Sequence, residues 1–220
     1  MAGPCFQYWK ESEMIHIGAE ARVTSGLWLG IPAVLKSRRR RGYRHMELDA
    51  RLTKSRITVE AKVLSRLQIT QFSAPRLLQI NHEEGWMVLS KLGGNPIYES
   101  LVGDSIGEDY MFKIGEKIRE LHELGLSHGD LTTHNIMIDG TGKISLLDFG
   151  LSRISAELEH MGQDLQVLNE CLSASHSELE KGIEDVLIGY SESSSTESPY
   201  SPESVISRFN QIRNRVRYMG

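Results

Sequence analysis

The sequence predicts an α+β chain in two lobes: a β-rich first lobe with one main helix, and a reduced, mostly α-helical second lobe. Three observations predict it. Short strand-like stretches crowd the chain as far as Ser90, and a single long stretch with helical spacing, residues 48–67, interrupts them. From Tyr110 onward the apolar spacing is that of helices, apart from one tight hairpin over residues 135–147. At 220 residues the chain can bury a core sufficient for one large domain or two small lobes. The organisation expected is one domain over residues 1–220, with a first lobe to about residue 92, a second over 93–204 and a basic tail over 205–220.

Composition narrows the class without naming a function. Hydrophobic residues at 40% and charged residues at 25% describe an ordinary globular protein. The net charge of −4 is unremarkable, but Arg38–Arg41 is an uninterrupted basic run, and Arg208, Arg213, Arg215 and Arg217 make the C-terminal stretch basic. Cys5 and Cys171 form neither a disulfide framework nor a CxxC metal pair, which fits a reducing compartment. The opening MAGPCFQYWKES has no basic n-region or apolar h-region of a secretory signal. No apolar run approaches membrane-spanning length. The expectation is a soluble protein of the cytoplasm, with the nucleus also open, and no membrane partner.

In order, residues 14–17 begin an alternating segment, and Gly18-Ala19-Glu20-Ala21 separates it from the strand-like RVTSGLWL. Strand, Gly-containing turn, strand is where backbone amides can cover phosphates. With only Gly18 in the turn, a plain hairpin is an equal reading. PAVLK, ending in Lys36, is the next strand. In the helix over 48–67, Ile57, Ala61, Leu64 and Leu67 form one stripe, and Glu60 lies on it. A carboxylate on an inward face is costly unless it finds a cation. Lys36 on the preceding strand is the favoured partner; the alternative is a glutamate at the stripe's edge that reaches water.

Pro75 closes the helical region, and residues 76–81 and 86–90 are strands around His82-Glu83-Glu84-Gly85. Lys91-Leu92-Gly93-Gly94-Asn95-Pro96 reads as a hinge. Residues 110–124 form an amphipathic helix with Phe112, Ile114, Ile118 and Leu121 on one face; His122 reads as a packed residue of it. Helices are expected over 163–172, 178–190 and 205–218, and the Ser-rich stretch 191–204 as a mobile loop. Asp164 either favours a helix dipole or ties down the loop that precedes the hairpin.

That loop, HGDLTTHN (128–135), with Asp148-Phe149-Gly150 after the hairpin, carries the chemistry. An aspartate, an asparagine five residues on, a hairpin and then Asp-Phe-Gly is the catalytic-loop pattern of protein-kinase-like phosphotransferases. Asp130 would accept the proton of an attacking hydroxyl, and Asn135 and Asp148 supply hard oxygens for Mg²⁺. His128 reads as structural, packing beneath the loop; His134 has no assigned role. In the kinase pattern Lys36, fixed by Glu60, grips the ATP phosphates, and Gly18, Ala19, Glu20 and Ala21 cover them. Seventy residues follow Gly150, too few for an activation segment, and the loop reads His-Gly-Asp where regulated kinases have His-Arg-Asp.

The segment from Lys36 through Arg38, Arg41, Tyr43, Arg44, Leu48 and Asp49, with HGDLTTHN, DFGL, QDLQVL and an Arg-rich C-terminal stretch, resembles the small atypical kinases of the KEOPS (EKC) tRNA-modification complex, the PRPK family. A looser similarity is to RIO kinases. Met46 and the terminal RNRVRYMG depart from that family's usual pattern. The resemblance implies a minimal bilobal protein-kinase-like fold and a Mg²⁺- and ATP-dependent serine/threonine kinase or ATPase. It also implies docking on a TsaD/Kae-type threonylcarbamoyl-transferase subunit and other KEOPS subunits. The complex installs N6-threonylcarbamoyl on adenosine 37 of tRNAs. Arg213, Arg215 and Arg217 would contact tRNA or the partner; by charge alone a solvated helix face is an equal reading. A small-molecule phosphotransferase and a scaffolding pseudokinase are the alternative classes.

Overall fold

The computed structural model describes residues 8–18, 21–38, 46–101, 109–179, 181–193 and 198–219. These fall into two compact units, residues 1–92 and 93–220.

In the first unit, β1 (Trp9–Ile17), β2 (Ala21–Trp28), β3 (Ile31–Arg38), β4 (Leu77–Asn81) and β5 (Trp86–Ser90) form one antiparallel sheet in the order β1-β2-β3-β5-β4. The β2–β3 connection turns on Leu29 (φ 51°) and Gly30 (φ 81°), two successive left-handed residues that match the twist of a tight hairpin. The β4–β5 turn is tied by Asn81, whose Oδ1 accepts the amides of Glu83 and Glu84, each at 3.0 Å.

Strand alternation sorts β3 onto two faces. Ala33 and Leu35 join Trp9, Trp86 and Val88 in one buried cluster, with Trp28 and Leu78 against it. Lys36, one residue on, lies opposite Met87 in the register and belongs to the other face. There it meets α1 (Met46–Ile69), whose Ile57, Ala61, Val63, Leu64 and Leu67 are buried. The stripe expected in the 48–67 helix is thus the core-facing one, and the helix itself runs slightly further at both ends.

In the second unit, β6 (Asn95–Pro96) pairs with β8 (Ile136–Ile138), which pairs with β9 (Ile144–Leu146). Between β6 and β8 come α2 (Ile97–Leu101), α3 (Asp109–Glu123) and β7 (Leu126–Ser127). After β9, β10 (Arg153–Ile154) pairs back onto β7, and α4 (Leu158–Ser175), α5 (Gly182–Glu192) and α6 (Pro202–Met219) complete the unit. The expected α+β class is the observed one. No helix of the described residues is long and apolar enough to cross a membrane.

The helices pack through glycine where their backbones approach most closely. A Cβ on Gly115 of α3 would stand 2.0 Å from the Val186 carbonyl oxygen, and one on Gly189 of α5 would stand 2.0 Å from that of Phe112. Backbone cannot yield as a side-chain tip can, so the two helices must separate to admit even a methyl group. Gly189→Ala should therefore cost about 1–3 kcal/mol, read as a lowered midpoint of thermal unfolding.

Three expectations are corrected here. First, α4 starts at Leu158, not at 163, with Glu157 and His160 forming a reciprocal capping box. Asp164 therefore lies well inside the helix, where the dipole of an N-terminus does not act. Second, α5 starts at Gly182 rather than 178, Glu178 lying in the preceding turn. Third, the Ser-rich loop is shorter than 191–204. Helix α5 runs through Glu192 and α6 begins at Pro202, while between them Ser198 Oγ donates to the Tyr200 carbonyl at 3.0 Å. Residues 194–197 lie outside the described residues. The α6 helix is also more than a tail, because Val205 and Phe209 are fully buried and α6 packs on α4.

Candidate functional site

The first unit pairs Lys36, expected to grip phosphate, with Glu60, expected to fix it. Lys36 Nζ donates to Glu60 Oε1 at 2.7 Å, and the two residues are only 7% and 1% exposed. The pairing follows from two periodicities. Position 36 is an inward strand position, and position 60 stands one helical turn from Ile57 and Leu64 on the covered face of α1. Buried ion pairs seldom repay their desolvation in stability, so a pair this dry suggests a use beyond folding. The turn preceding β2 is closed by the Gly18 amide, which donates to the Ala21 carbonyl at 2.9 Å. Ala19 and Glu20 lie outside the described residues, as do residues 39–45 of the basic element; so do the side chains of Arg38, Leu48 and Asp49.

The second unit gathers Asp130, Asn135 and Asp148 in one small region, and hydrogen bonding explains how. Asn135 Nδ2 donates to the Asp130 carbonyl at 2.8 Å and to Asp130 Oδ2 at 3.2 Å, so Asn135 Oδ1 is the side-chain atom that could ligate a metal. The β8–β9 hairpin pairs Ile136 with Leu146, and the Leu147 amide donates to the Asn135 carbonyl at 2.8 Å. Asp148 is therefore folded back to within one residue of Asn135 in the ladder. It adopts φ 57°, a left-handed conformation that aspartate tolerates better than most residues, and it is exposed. The hairpin tip is built on Asp139. Its Oδ1 accepts from Thr141 Oγ1 at 2.6 Å and from the amides of Thr141 and Lys143 at 2.9 and 3.1 Å. These bonds, the Thr141 hydroxyl first, hold the Asp139 carboxyl below its ordinary range.

His128 packs beneath the loop. It is buried, its Nε2 lies 2.8 Å from the Leu147 carbonyl, and its ring rests 5.0 Å from that of Phe149. Asp164 is the tie beneath the loop: its carboxylate accepts the amides of His128 at 2.5 Å and Gly129 at 2.7 Å. Gly129 itself has φ 81°, and a Cβ there would stand 2.2 Å from the Leu151 carbonyl oxygen. The arginine of regulated kinases is thus excluded by backbone. The chain turns directly from Gly150 into β10, and its carbonyl takes the space any side chain at 129 would need.

Sequence reasoning missed several supports of this loop. His134 stacks on Tyr98 at 4.1 Å between centroids. Thr133 is buried, with Oγ1 3.3 Å from both Cys171 Sγ and His176 Nε2. Burial holds the His176 imidazole below its ordinary range, against the opposing carboxylate of Glu178. His122 has an acid partner after all, Asp164 Oδ2 at 3.2 Å, supplied by α4. Nothing in the local sequence could have shown it, since the partner is 42 residues away.

The basic stretch is only partly available to a ligand. Arg208 is engaged by Glu159 and by Gln211 at 2.7 Å. Arg213 lies over the Phe209 ring, 5.2 Å to its centroid, while Arg215 is exposed. The side chain of Arg217 lies outside the described residues.

The donor set fits a hard, oxygen-seeking cation. Among the described residues there is no cluster of three or more His, Cys, Asp or Glu side chains able to cage an ion. One amide oxygen and one carboxylate suit Mg²⁺, which keeps several waters and takes its remaining ligands from phosphate.

Comparison with known proteins agrees with this geometry. The protein kinase domain family matches residues 35–172. The chain is 36% identical over 202 residues to a probable bifunctional tRNA threonylcarbamoyladenosine biosynthesis protein of Methanothermobacter thermautotrophicus, covering 91% of this chain and 36% of that protein. The chain thus spans about a third of the length of such bifunctional relatives. It is 33% identical to the KEOPS complex subunit Bud32 of Pyrococcus abyssi, covering 82% of this chain and 86% of the relative. With the mouse EKC/KEOPS complex subunit Tp53rkb it shares 31% identity, over 93% and 86% of the two chains.

Proposed function

This chain belongs to the protein kinase family, in the branch of the Bud32 subunits of KEOPS complexes, and from this we propose that it is an atypical serine/threonine kinase or ATPase that uses Mg²⁺ and ATP. Its place is in a KEOPS-type complex beside a TsaD/Kae-type transferase subunit. There its ATP turnover supports formation of threonylcarbamoyladenosine at position 37 of tRNAs, in the cytoplasm and nucleus.

The observation that carries the reading is the held Asp130. Its carboxylate oxygen and its carbonyl are both bonded by Asn135, and the two residues before it are anchored through their amides on buried Asp164. A base held this way loses little entropy on reaching its hydroxyl or water. Asp130 takes the proton of that nucleophile, or aims it. Asn135 Oδ1 and the exposed Asp148 carboxylate would hold Mg²⁺, which when bound neutralises phosphate charge. Lys36, held by Glu60, contributes its point charge to the ATP phosphates. The short path from Gly150 to β10 supports control by a bound partner rather than by phosphorylation of an activation segment. Arg215, with Arg213 and Arg217, is the proposed contact to tRNA or the transferase subunit.

ATP hydrolysis measured on the chain alone and with its transferase subunit tests the assignment. Asp130→Ala should lower kcat about a hundredfold, with Asp148→Ala comparably impaired but, as the loss of a Mg²⁺ ligand, the one of the two that added Mg²⁺ partly relieves. Turnover that survives both substitutions would remove Asp130 and Asp148 from the chemistry. Tight partner binding with no ATP turnover in the wild type would leave a scaffold.

A further inference from the structure

The clamp on the catalytic loop does not end at Asp164. Behind it lies a line of polar side chains that are almost wholly inaccessible: His122, Tyr190 and Arg119, the last only 1% exposed. Asp164 already accepts two amides, so its 3.2 Å contact with His122 Nε2 is a hydrogen bond only when that nitrogen carries the ring proton. That tautomer leaves Nδ1 to accept. The Tyr190 hydroxyl stands 2.9 Å from that Nδ1. Burial pushes the phenol well above its ordinary range, so it remains an O–H donor.

Tyr190 is placed in turn by Arg119, whose guanidinium lies 5.5 Å from the phenol ring centroid. Arg119 donates through Nε to Glu123 at 2.9 Å and through Nη1 to the Tyr200 carbonyl at 3.0 Å. The charged groups acting on the phenol are Arg119 and Glu123 from α3 and Asp164 from α4. The hydroxyl is not needed for packing. Helices α3 and α5 meet through Gly115 and Gly189, and phenylalanine would fill the same space.

We propose that Tyr190 is a positioning residue for the catalytic loop: its hydroxyl holds His122 in the Nε2–H tautomer, which keeps Asp164 clamped on the His128 and Gly129 amides that carry Asp130. The line runs from the backbone just ahead of α6, through three helices, to the residues beside the base. It deepens the ATP-turnover reading and rests on that reading only for its kinetic consequence.

The test compares wild type with Tyr190→Phe by side-chain ¹⁵N NMR of histidine, by amide hydrogen exchange and by steady-state ATPase kinetics. In the wild type His122 should show the Nε2–H nitrogen signature. In Tyr190→Phe that signature should become mixed, and the His128 and Gly129 amides should exchange about tenfold faster. The kcat should fall about fivefold with the KM for ATP unchanged. In a His122→Gln background, where the side-chain amide donates to Asp164 with no tautomer to set, the phenylalanine should have no further effect on kcat or exchange. The idea is overturned if wild-type His122 carries its proton on Nδ1, or if Tyr190→Phe leaves the two amides exchanging as before. An equal phenylalanine penalty in the wild-type and His122→Gln backgrounds would overturn it too. Should Tyr190→Phe not fold, Arg119→Lys carries the same exchange measurement. A wild type without ATPase would defeat the proposed activity while leaving the nitrogen and exchange readings able to decide.

Discussion

Gly129→Arg should abolish ATP turnover, although it restores the His-Arg-Asp sequence of regulated kinases. Two costs combine. At φ 81° any L side chain is strained, and the Cβ itself would meet the Leu151 carbonyl at 2.2 Å. Neither partner can move cheaply. The Gly129 amide is anchored on Asp164, and the Leu151 backbone lies between Phe149, which is fully buried, and the β10–β7 pair. Relief requires the loop to lift, and Asp130 is the next residue. A displacement of about 1 Å in a catalytic group costs on the order of a hundredfold in rate, and losing the clamp as well should take turnover below detection. Gly129→Ala should fail nearly as badly, because the contact involves the first side-chain atom. ATPase assay and thermal unfolding of both variants check this. An alanine variant with wild-type turnover would show that the Leu151 turn can give way.

Glu60→Ala should be the most destabilising change in the first unit, by about 3–5 kcal/mol, because it takes the bonded carboxylate away from a buried ammonium. Lys36 is nearly as dry as its partner and lies beneath α1 on the inner face of β3. The informative companion is the double replacement Lys36→Met, Glu60→Leu. Two apolar side chains of similar volume should regain most of the lost stability, since replacing a buried pair outright is often neutral. Turnover should stay lost, because the lysine charge proposed for the phosphates is gone. Denaturant unfolding and ATPase kinetics on the same three proteins separate the roles. A double variant as active as the wild type would reduce the pair to scaffolding.

Much of this was legible because the strongest signals are local and periodic. Trp86–Ser90 reads directly as a strand, and the spacing of Ile57, Glu60, Ala61 and Leu64 marks the buried stripe of α1, so that Glu60 demanded a cation. HGDLTTHN and Asp148-Phe149-Gly150 announce a hairpin that returns one residue to another. What stayed hidden lacks periodicity or depends on distance. The two-residue strands β6, β7 and β10 are too short to alternate. Asp164 read equally as a helix-terminal acid and as a tie on the loop, because the first turn of α4, LEHMG, carries little apolar pattern to show where the helix starts. Arg119 sits in an amphipathic helix among residues that read as its polar face, yet it is buried, because Glu123, Tyr190 and the Tyr200 carbonyl reach it from further along the chain. The exclusion of arginine at 129 was visible only as a letter change. Its cause is a carbonyl 22 residues downstream, at Leu151, which no pattern in the sequence reports.

The tryptophan cluster gives the molecule an optical asymmetry. All three indoles of the chain, Trp9, Trp28 and Trp86, sit on one face of the first unit's sheet, and residues 93–220 contain none. Intrinsic fluorescence excited near the red edge of the indole band therefore reports the first unit alone, while far-ultraviolet dichroism is dominated by the helices of the second. Melting curves recorded by both signals on one sample would show whether the two halves unfold together or in sequence, without any label or engineered probe.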